Sequence, residues 1–220
     1  GVAVKMLTGD ALPIAKEIDS SVGLGEDIIK AAELKEFLSE SPIEATEAAE
    51  RSDGFAEIYP EDKYTIVKSF QATKHVVGMT GDGVNDAPAL RKANIGVAMG
   101  IAGTDVAKET ADMILIDDNF ASIVNAIEEG RAVYANAKKF VTYIFTHNTA
   151  EAAPFVFFAF SGGRIPLGLT VMEVLSIDLG TDIVPALALG VEPPEEGIMD
   201  KPPRSLKEHM ITPALLLRAY

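Results

Sequence analysis

Apolar and polar positions divide the chain into two parts of different character. Over about the first 130 residues, short runs rich in β-branched residues alternate with amphipathic stretches. This pattern predicts strands that alternate with helices, and such an order is typical of an open parallel sheet covered on both faces. The predicted strands cover residues 2–7, 55–59, 75–79, 95–99 and 113–116.

The amphipathic stretches carry recognisable helix-start signals. Pro13 falls in the first turn of the first predicted helix, where its missing N–H costs nothing. Residues 26–51 are charged and helix-prone, and Pro42 predicts that they form two short surface helices. The Asp-Asn run at residues 117–119 offers an N-cap for the helix that follows.

Beyond residue 140 the chain becomes strongly apolar. Residues 140–160 and 167–191 are each about long enough to cross a bilayer as a helix, and a short Gly/Pro-containing turn separates them. They could instead form a buried helical hairpin of a soluble protein. The distribution of basic residues favours the membrane and places both flanks on its cytoplasmic side. These residues are Lys138 and Lys139 before the pair, Lys201, Arg204 and Lys207 after it, and Arg164 alone in the turn.

Composition narrows the class of protein. The formal net charge of −14 argues against nucleic acid as a partner, because nucleic-acid phosphates require clustered Lys and Arg. The absence of cysteine excludes disulfides and thiolate metal sites. The first residues read as a strand rather than as a secretory signal.

The segment TGDGVNDAPAL, residues 80–90, directly follows a predicted strand. Gly81 and Gly83 permit a tight bend and a close approach to a ligand. Asp82 and Asp86 lie one helical turn apart, and paired carboxylates at a strand end suit Mg²⁺. Asn85 is placed to donate to a phosphate oxygen. Aspartate and glycine are also ordinary turn residues, but three such polar groups at one strand end favour a site.

Two weaker signals accompany this segment. Thr8, Gly9 and Asp10 end the first predicted strand, where a hydroxyl and a backbone N–H could hold a phosphoryl oxygen. Lys63 opens the helix after the second strand and could offset phosphoryl charge. Taken alone, this lysine is more simply interpreted as a solvated surface residue.

Polar residues inside the predicted spans form a second group. Asn148 and Glu151 share a helix face, as do Asp178, Thr181 and Asp182. Ionised carboxylates in a bilayer are costly unless they are paired, hydrated or bound to a cation. Three of them near mid-span therefore predict a cation site.

His147 has two interpretations. It could be a proton-sensitive neighbour of the cation ligands, or it could make a hydrogen bond between helices, and we favour the second. Pro154, Gly180 and Pro185 would loosen the two spans near the acidic residues.

The combination of motifs resembles the P-type cation-transporting ATPases. TGDGVNDAPAL is similar to the family's hinge signature, and MLTGD, PEDK and DDNFASIVNAIEEGR occur in the family's order. The likeness continues to IMDKPPR and so covers nearly the whole chain. It implies a haloacid-dehalogenase-like Rossmannoid phosphorylation domain, an α/β fold with a parallel sheet, followed by an α-helical transmembrane hairpin.

The resemblance also implies a domain plan. Residues 1–132 would be the C-terminal part of the phosphorylation domain, and residues 133–161 a stalk with the first membrane helix. Residues 162–166 would be a short extracytoplasmic turn and residues 167–191 the second membrane helix. Residues 192–220 would form a cytoplasmic loop and the start of a further membrane helix.

The resemblance implies ATP-driven cation transport with Mg²⁺ and ATP as cofactors. Thr8, Gly9, Lys63 and Asn85 would hold phosphoryl oxygens, and Asp82 with Asp86 would hold Mg²⁺. The five polar residues of the spans would bind the transported cation. Calcium, sodium/potassium and proton pumps each share part of the pattern, so Ca²⁺, Na⁺, K⁺ and H⁺ remain open. The parent protein would be a multi-pass membrane protein, with the plasma membrane favoured.

One departure from the family is clear. The phosphoacceptor aspartate of these pumps lies in a DKTGT motif, which the sequence does not contain. We therefore expect a fragment that begins after this motif and is inactive without the rest of the pump. Two alternatives are a membrane-anchored Mg²⁺-dependent phosphatase of the same fold and a non-catalytic fragment that modulates a complete pump.

Overall fold

The computed structural model describes residues 2–40, 42–205 and 207–219, with side chains except at 38–46 and 218–219. Its contacts separate two units, Gly1–Ser122 and Ile123–Tyr220. The boundary between them lies ten residues before the one expected from the sequence. Each unit is described separately below.

The described residues of the first unit form six strands in two parallel sheets, ordered β1-β3-β2 and β4-β5-β6. Parallel pairing is thus confirmed, whereas the prediction of one continuous sheet is wrong for the described strands. The reason is that β1 pairs only with β3 and β4 only with β5, so no ladder joins the two groups. The strands are β1 (Met6–Leu7), β2 (Ile28–Lys30), β3 (Gly54–Ala56), β4 (Gly78–Gly81), β5 (Ile95–Met99) and β6 (Met113–Leu115).

Strand β2 corrects the helix predicted over residues 26–51. Ile28 is buried and pairs with Gly54 of β3, so two β-branched residues inside a charged segment form the edge of a sheet. The rest of the segment does form two short helices. The residue before Pro42, where the break was predicted, lies outside the described residues.

Among the described residues, six helices pack around these sheets. The first has Pro13 in its first turn, as predicted, and ends at Gly23, whose φ of 78° suits a glycine C-cap. The helix at TGDGVNDAPAL begins at Ala87 after one 3₁₀ turn and has Pro88 in its first turn. The helices are α1 (Leu12–Val22), α2 (Ala31–Glu40), α3 (Pro42–Arg51), α4 (Pro60–Ala72), α5 (Ala87–Lys92) and α6 (Asp105–Thr110).

Helix α4 connects the cores of the two sheets. Ile66 belongs to the apolar cluster around Phe55 of β3, whereas the next residue, Val67, belongs to the cluster around Leu90 of α5. Phe55 and Leu90 are fully buried. Lys63 lies one turn earlier on this buried side of α4, because residues three and four apart share a helix face. Core packing therefore brings Lys63 to the carboxyl-end region of β4.

The second unit is helical, with α7 (Ala121–Phe160), α8 (Val171–Thr181), α9 (Ile183–Gly190) and α10 (Pro213–Ala219). At the start of α7 the side chain of Asn119 accepts from the N–H of Ala121 at 2.9 Å, which confirms the predicted N-cap. Asp118 instead accepts from the N–H groups of Ile101 and Ala102. Asn119 thus caps α7, and the adjacent Asp118 restrains the loop at residues 101–102.

The second predicted span is not one helix. Between 167 and 191 the chain forms α8 and α9, which are separated at Asp182. Pro185 has no N–H for the carbonyl of Thr181, and the hydroxyl of Tyr143 donates to that carbonyl at 2.8 Å. Within the described parts of the chain, no helix combines the length and the apolar character that a bilayer crossing requires.

Asp19 of α1 is a buried carboxyl group in the core of the first unit. Its side chain is fully buried, and neither carboxylate oxygen has a hydrogen-bond partner in the described chain. Burial, reinforced by the charge of Asp53, raises the pKa of Asp19 above its ordinary value. Its contribution to stability is thus complete below the unfolded-state pKa of about 3.9 and is lost as pH rises through the raised folded-state pKa.

We expect Asp19→Asn to raise Tm by about 2–4 °C at pH 7.5, because the substitution removes a buried charge, and to have little effect near pH 3.5. Thermal melts of the chain at both pH values measure the difference. Glu17→Gln is the matched control, since Glu17 is exposed on the same helix. An equal shift at both pH values would contradict a role for ionisation.

Candidate functional site

The loop after β4 is organised around the buried carboxylate of Asp86. One oxygen accepts from the backbone N–H groups of Asp82 and Gly83, each at 3.2 Å. The other oxygen lies 2.5 Å from the ammonium group of Lys63. Asp86 is only 4% exposed, so this charge depends on these partners. The loop and the lysine are therefore held by one carboxylate.

Gly81 permits this arrangement. A Cβ at Gly81 would lie 2.5 Å from the Cβ of Asp86, far inside normal contact distance. The close approach of the side chain to the end of β4 therefore requires glycine at this position. Gly81 was predicted to permit close approach of a ligand, and in the structure the side chain of Asp86 lies close to it.

Asp82 and Asn85 are exposed on the same loop. The side chains of both lack hydrogen-bond and ion-pair partners among the described residues. The N–H of Thr104 donates to the carbonyl of Asp82 at 2.8 Å, which fixes the backbone of this residue. An exposed carboxylate on a restrained backbone fits the oxygen ligand that Mg²⁺ prefers. The two aspartates thus have different environments.

The Thr8–Asp10 turn lies at the carboxyl end of β1. The hydroxyl of Thr8 donates to the carboxylate of Asp10 at 2.7 Å, and the N–H of Asp10 donates back to that hydroxyl at 3.1 Å. The N–H of Gly9 has no partner within the described segments. No described hydrogen bond or ion pair joins this turn to Lys63 or Asp86. The structure therefore links Lys63 to the loop after β4, and leaves this turn as a separate group.

The second unit brings together the acidic residues of the predicted spans. An open cavity of about 260 Å³ is lined by Asn148 and Glu151 of α7 and by Asp178 of α8, among others. Asp182 lies at the break between α8 and α9. The hydroxyl of Thr181 donates to the carbonyl of Ile177 within α8. Its oxygen can still accept from a donor or coordinate a cation.

His147 belongs to this group. Ligand atoms of His147, Asp178 and Asp182 all lie within 4.8 Å of one another. Its Nδ1 is 3.1 Å from the Oε1 of Glu151, one turn along α7. The described contacts of His147 contain no hydrogen bond to another helix. The i, i+4 spacing of His147 and Glu151 is a sequence signal that could have indicated this position.

Four polar atoms in this group are buried without a hydrogen-bond partner among the described residues. They are Nδ1 of His147, Oε1 of Glu151, Oδ1 of Asp178 and Oδ1 of Asp182. The contact between Nδ1 and Oε1 is short but lacks hydrogen-bond geometry. A buried polar atom without a partner costs about 1–3 kcal/mol. The group as it stands is therefore electrostatically costly.

Comparison with known proteins identifies the family. A model for haloacid dehalogenase-like hydrolases matches residues 1–94, and a model for the C-terminus of cation transporting ATPases matches residues 166–220. The whole chain is 42% identical to the sodium/potassium-transporting ATPase subunit alpha-3 of Rattus norvegicus and 42% identical to the potassium-transporting ATPase alpha chain 2 of Homo sapiens. The chain belongs to the P-type cation-transporting ATPase family. It covers 24% of the length of each of these two relatives.

A solved P-type ATPase structure is also similar. A zinc-transporting PIB-type ATPase in the E2.Pi state matches 84% of the chain, with 27% identity and a TM-score of 0.57, and the match covers 24% of that protein. Together with the hydrolase match, this similarity confirms the expected haloacid dehalogenase-like fold of the first unit. The P-type resemblance derived from the motifs is confirmed as well.

The two aspartates of the β4 loop should differ in their effect on stability. Asp86→Asn leaves Lys63 without its ionic partner and is expected to lower the free energy of unfolding by roughly 2–3 kcal/mol. Asp82→Asn should change it by less than about 0.5 kcal/mol, because its carboxylate is exposed and unpaired. Urea unfolding of both variants measures the contrast. Equal losses would show that Asp86 does not organise the loop.

Proposed function

We propose that the protein containing this chain is an ATP-driven cation pump that works through an aspartyl-phosphate intermediate. The chain would supply part of the phosphoryl site and part of the cation site. The observation that carries the proposal is the grouping of Asp178 with Asp182, and of Asp178 with Glu151 beside a cavity, in a P-type chain whose first unit holds the Lys63–Asp86 pair. The phosphoacceptor would come from a DKTGT motif outside this sequence.

In the first unit, the residues would divide the work of phosphoryl transfer. Asp82 would ligate Mg²⁺, which when bound neutralises charge on the phosphoryl oxygens. Lys63, oriented by Asp86, would place its ammonium group against the same charge. Asn85 and the free N–H of Gly9 would donate to phosphoryl oxygens. Asp86 would act as a positioning residue, because its oxygens are already bound by Lys63 and the loop.

Thr8 would act chiefly by shaping the turn. Its hydroxyl donates to Asp10 and accepts from the N–H of Asp10, so its single proton is already in use. The turn is fixed to β3 because the N–H of Thr8 donates to the carbonyl of Phe55 at 3.0 Å. In this proposal, the N–H of Gly9 is the donor that the turn presents.

In the second unit, the pair of segments 140–160 and 167–191 would lie in a bilayer as a hairpin. Large apolar side chains on these segments face outward, among them Phe160 at 89% exposed and Leu187 at 69%. Such surfaces are costly in water and are suited to lipid or to the other membrane helices of the pump. The first unit would lie in the cytoplasm, and the plasma membrane is the favoured location.

The break at Asp182 would serve the cation site. A helix interrupted by proline exposes carbonyl groups that a continuous helix uses internally. Asp182 lies at the junction itself, and Asp178 lies one turn before it on α8. Asn148 and Thr181 would add neutral oxygens to the three carboxylates. The transported ion would thus bind between α7 and the interrupted segment.

Helix α7 is a candidate for coupling. It begins at Ala121, immediately after the capped loop at 117–119, and includes Asn148 and Glu151 without a break. The 30 residue-to-residue steps from Ala121 to Glu151 correspond to about 45 Å of helix. Movement at its start during the phosphorylation cycle could therefore alter the cation ligands.

A membrane-anchored phosphatase is the second candidate, and the match of residues 1–94 to haloacid dehalogenase-like hydrolases favours it. It would use Asp82 and Mg²⁺ without transporting an ion. This candidate predicts that neutralising the acids of the second unit leaves activity unchanged.

The names of the relatives include sodium/potassium and potassium pumps, which makes these ions the first to test.

The test uses phosphoenzyme formation from ATP by the full-length protein, titrated separately with Na⁺, K⁺ and Ca²⁺ and with pH. We expect one cation to control phosphorylation, and Asp182→Asn to shift its half-effective concentration at least about tenfold. Asp200→Asn is a matched control, because Asp200 is exposed and outside the cluster. Phosphorylation that ignores every cation and Asp182→Asn would favour the phosphatase.

A further inference from the structure

We propose that His147 is a direct ligand in the cation site, and that the site therefore accepts a divalent first-row transition metal of the Zn²⁺ type. The inference rests on the proposed function, since it concerns the same site. It adds a nitrogen ligand to the oxygen ligands considered so far. It also narrows the class of ion that the site can hold.

The first step is geometric. The ligand atoms of His147, Asp178 and Asp182 fall within 4.8 Å of one another, a spacing that allows one ion to contact all three. Glu151 is adjacent, with its Oε1 at 3.1 Å from the Nδ1 of His147. The grouped atoms therefore supply one imidazole and two carboxylates from two helical segments. Three protein ligands that leave a fourth position open are a known arrangement of zinc in proteins.

The second step concerns the buried atoms. Each of the four residues contributes one buried atom that lacks a hydrogen-bond partner in the described chain. Three of these atoms belong to the residues whose ligand atoms lie together, and at about 1–3 kcal/mol each they would cost several kcal/mol. A cation bound by His147, Asp178 and Asp182 would satisfy these residues at once. An ordinary helix–helix contact would leave the buried Oδ1 atoms of Asp178 and Asp182 unsatisfied.

The contacts of His147 distinguish a metal ligand from a simple ion pair. A protonated His147 could pair with Glu151 alone, but the 3.1 Å contact lacks hydrogen-bond geometry. The ring of Tyr143 lies 5.7 Å from the ring of His147, so the imidazole is packed on one side. The same histidine is near Asp178 and Asp182 as well as Glu151. A shared ion accounts for all of these neighbours.

The fourth step is chemical. Imidazole nitrogen binds Zn²⁺ and similar transition metals much better than it binds Na⁺, K⁺ or Ca²⁺, which prefer oxygen ligands. A site without histidine would discriminate among ions mainly by size and charge. With His147 as a ligand, the site gains a preference for transition metals that the three acids alone cannot supply.

The experiment measures binding of radioactive Zn²⁺ and Ca²⁺ to the intact protein in detergent, without ATP. Co²⁺ serves as a spectroscopic substitute, since its visible absorption reports ligand number and its paramagnetism shifts imidazole proton signals. The variants are His147→Ala, His147→Gln and Asp182→Asn. His209→Ala is the matched control, because His209 is exposed in the same unit and outside the cluster.

We expect Zn²⁺ binding to weaken at least about tenfold in both His147 variants and to be unchanged in His209→Ala. Ca²⁺ binding, if present, should change less than about threefold. The shifted imidazole signal of the Co²⁺ form should disappear in the His147 variants. Circular dichroism shows whether each variant is folded. Two different substitutions of His147 are used so that the test can still be made if one variant does not fold.

Three results would overturn the inference. If Zn²⁺ binds equally well with and without His147, the histidine is not a ligand. If Asp182→Asn abolishes binding of Na⁺, K⁺ or Ca²⁺ while Zn²⁺ does not bind, the proposed pump site stands and its transition-metal preference is wrong. If no cation binds and Asp182→Asn has no effect on cation-dependent phosphorylation, both the inference and the proposed cation site fail.

Discussion

The cost of burying a charged carboxylate is the constraint on which both units depend. In the first unit, Asp86 meets this cost with Lys63 and two backbone N–H groups, and the β4 loop takes its shape from these contacts. Asp19 has no such partners, and its pKa is raised by burial. In the second unit, Asp178 and Asp182 each retain an unpaired buried oxygen. The charge of Asp86 is thus compensated within the protein, whereas in the proposed cation site a bound ion would compensate Asp178 and Asp182.

This contrast also explains why the two aspartates of TGDGVNDAPAL are not equivalent. Asp82 is exposed and its carboxylate is without a described partner, whereas both oxygens of Asp86 are occupied. A motif alone cannot distinguish them, because both residues are suitable Mg²⁺ ligands at a strand end. Only the position of Lys63 does so, and that position depends on how α4 packs through Ile66 and Val67.

Local signals predicted the helix start at Pro13, the cap at Asn119 and the alternation of strands with helices. Signals that depend on distant parts of the chain were not readable. Strand β2 was hidden by the charges around Ile28, because its partner β3 is 24 residues away or more. The division into two sheets depends on which strand edges pair, and periodicity along one strand carries no information about its neighbours.

The second unit was also only partly predictable from local sequence signals. Pro185 and Gly180 indicated a loosened helix, yet the break at Asp182 and the hydroxyl of Tyr143 on the freed carbonyl of Thr181 required the structure. The candidate ligands Glu151, Asp178 and Asp182 were readable from the expense of acids in an apolar segment.

His147 could not be identified as a metal ligand from the sequence, because a histidine in a helix has several ordinary roles. Only the neighbouring side chains in the structure distinguish these roles. An imidazole next to one carboxylate is a common pair along a helix, but an imidazole grouped with two aspartates of another segment has the composition of a metal site. In the proposed site, the imidazole nitrogen would then decide the class of ion, since carboxylate oxygens alone accept Na⁺, K⁺ and Ca²⁺ as well.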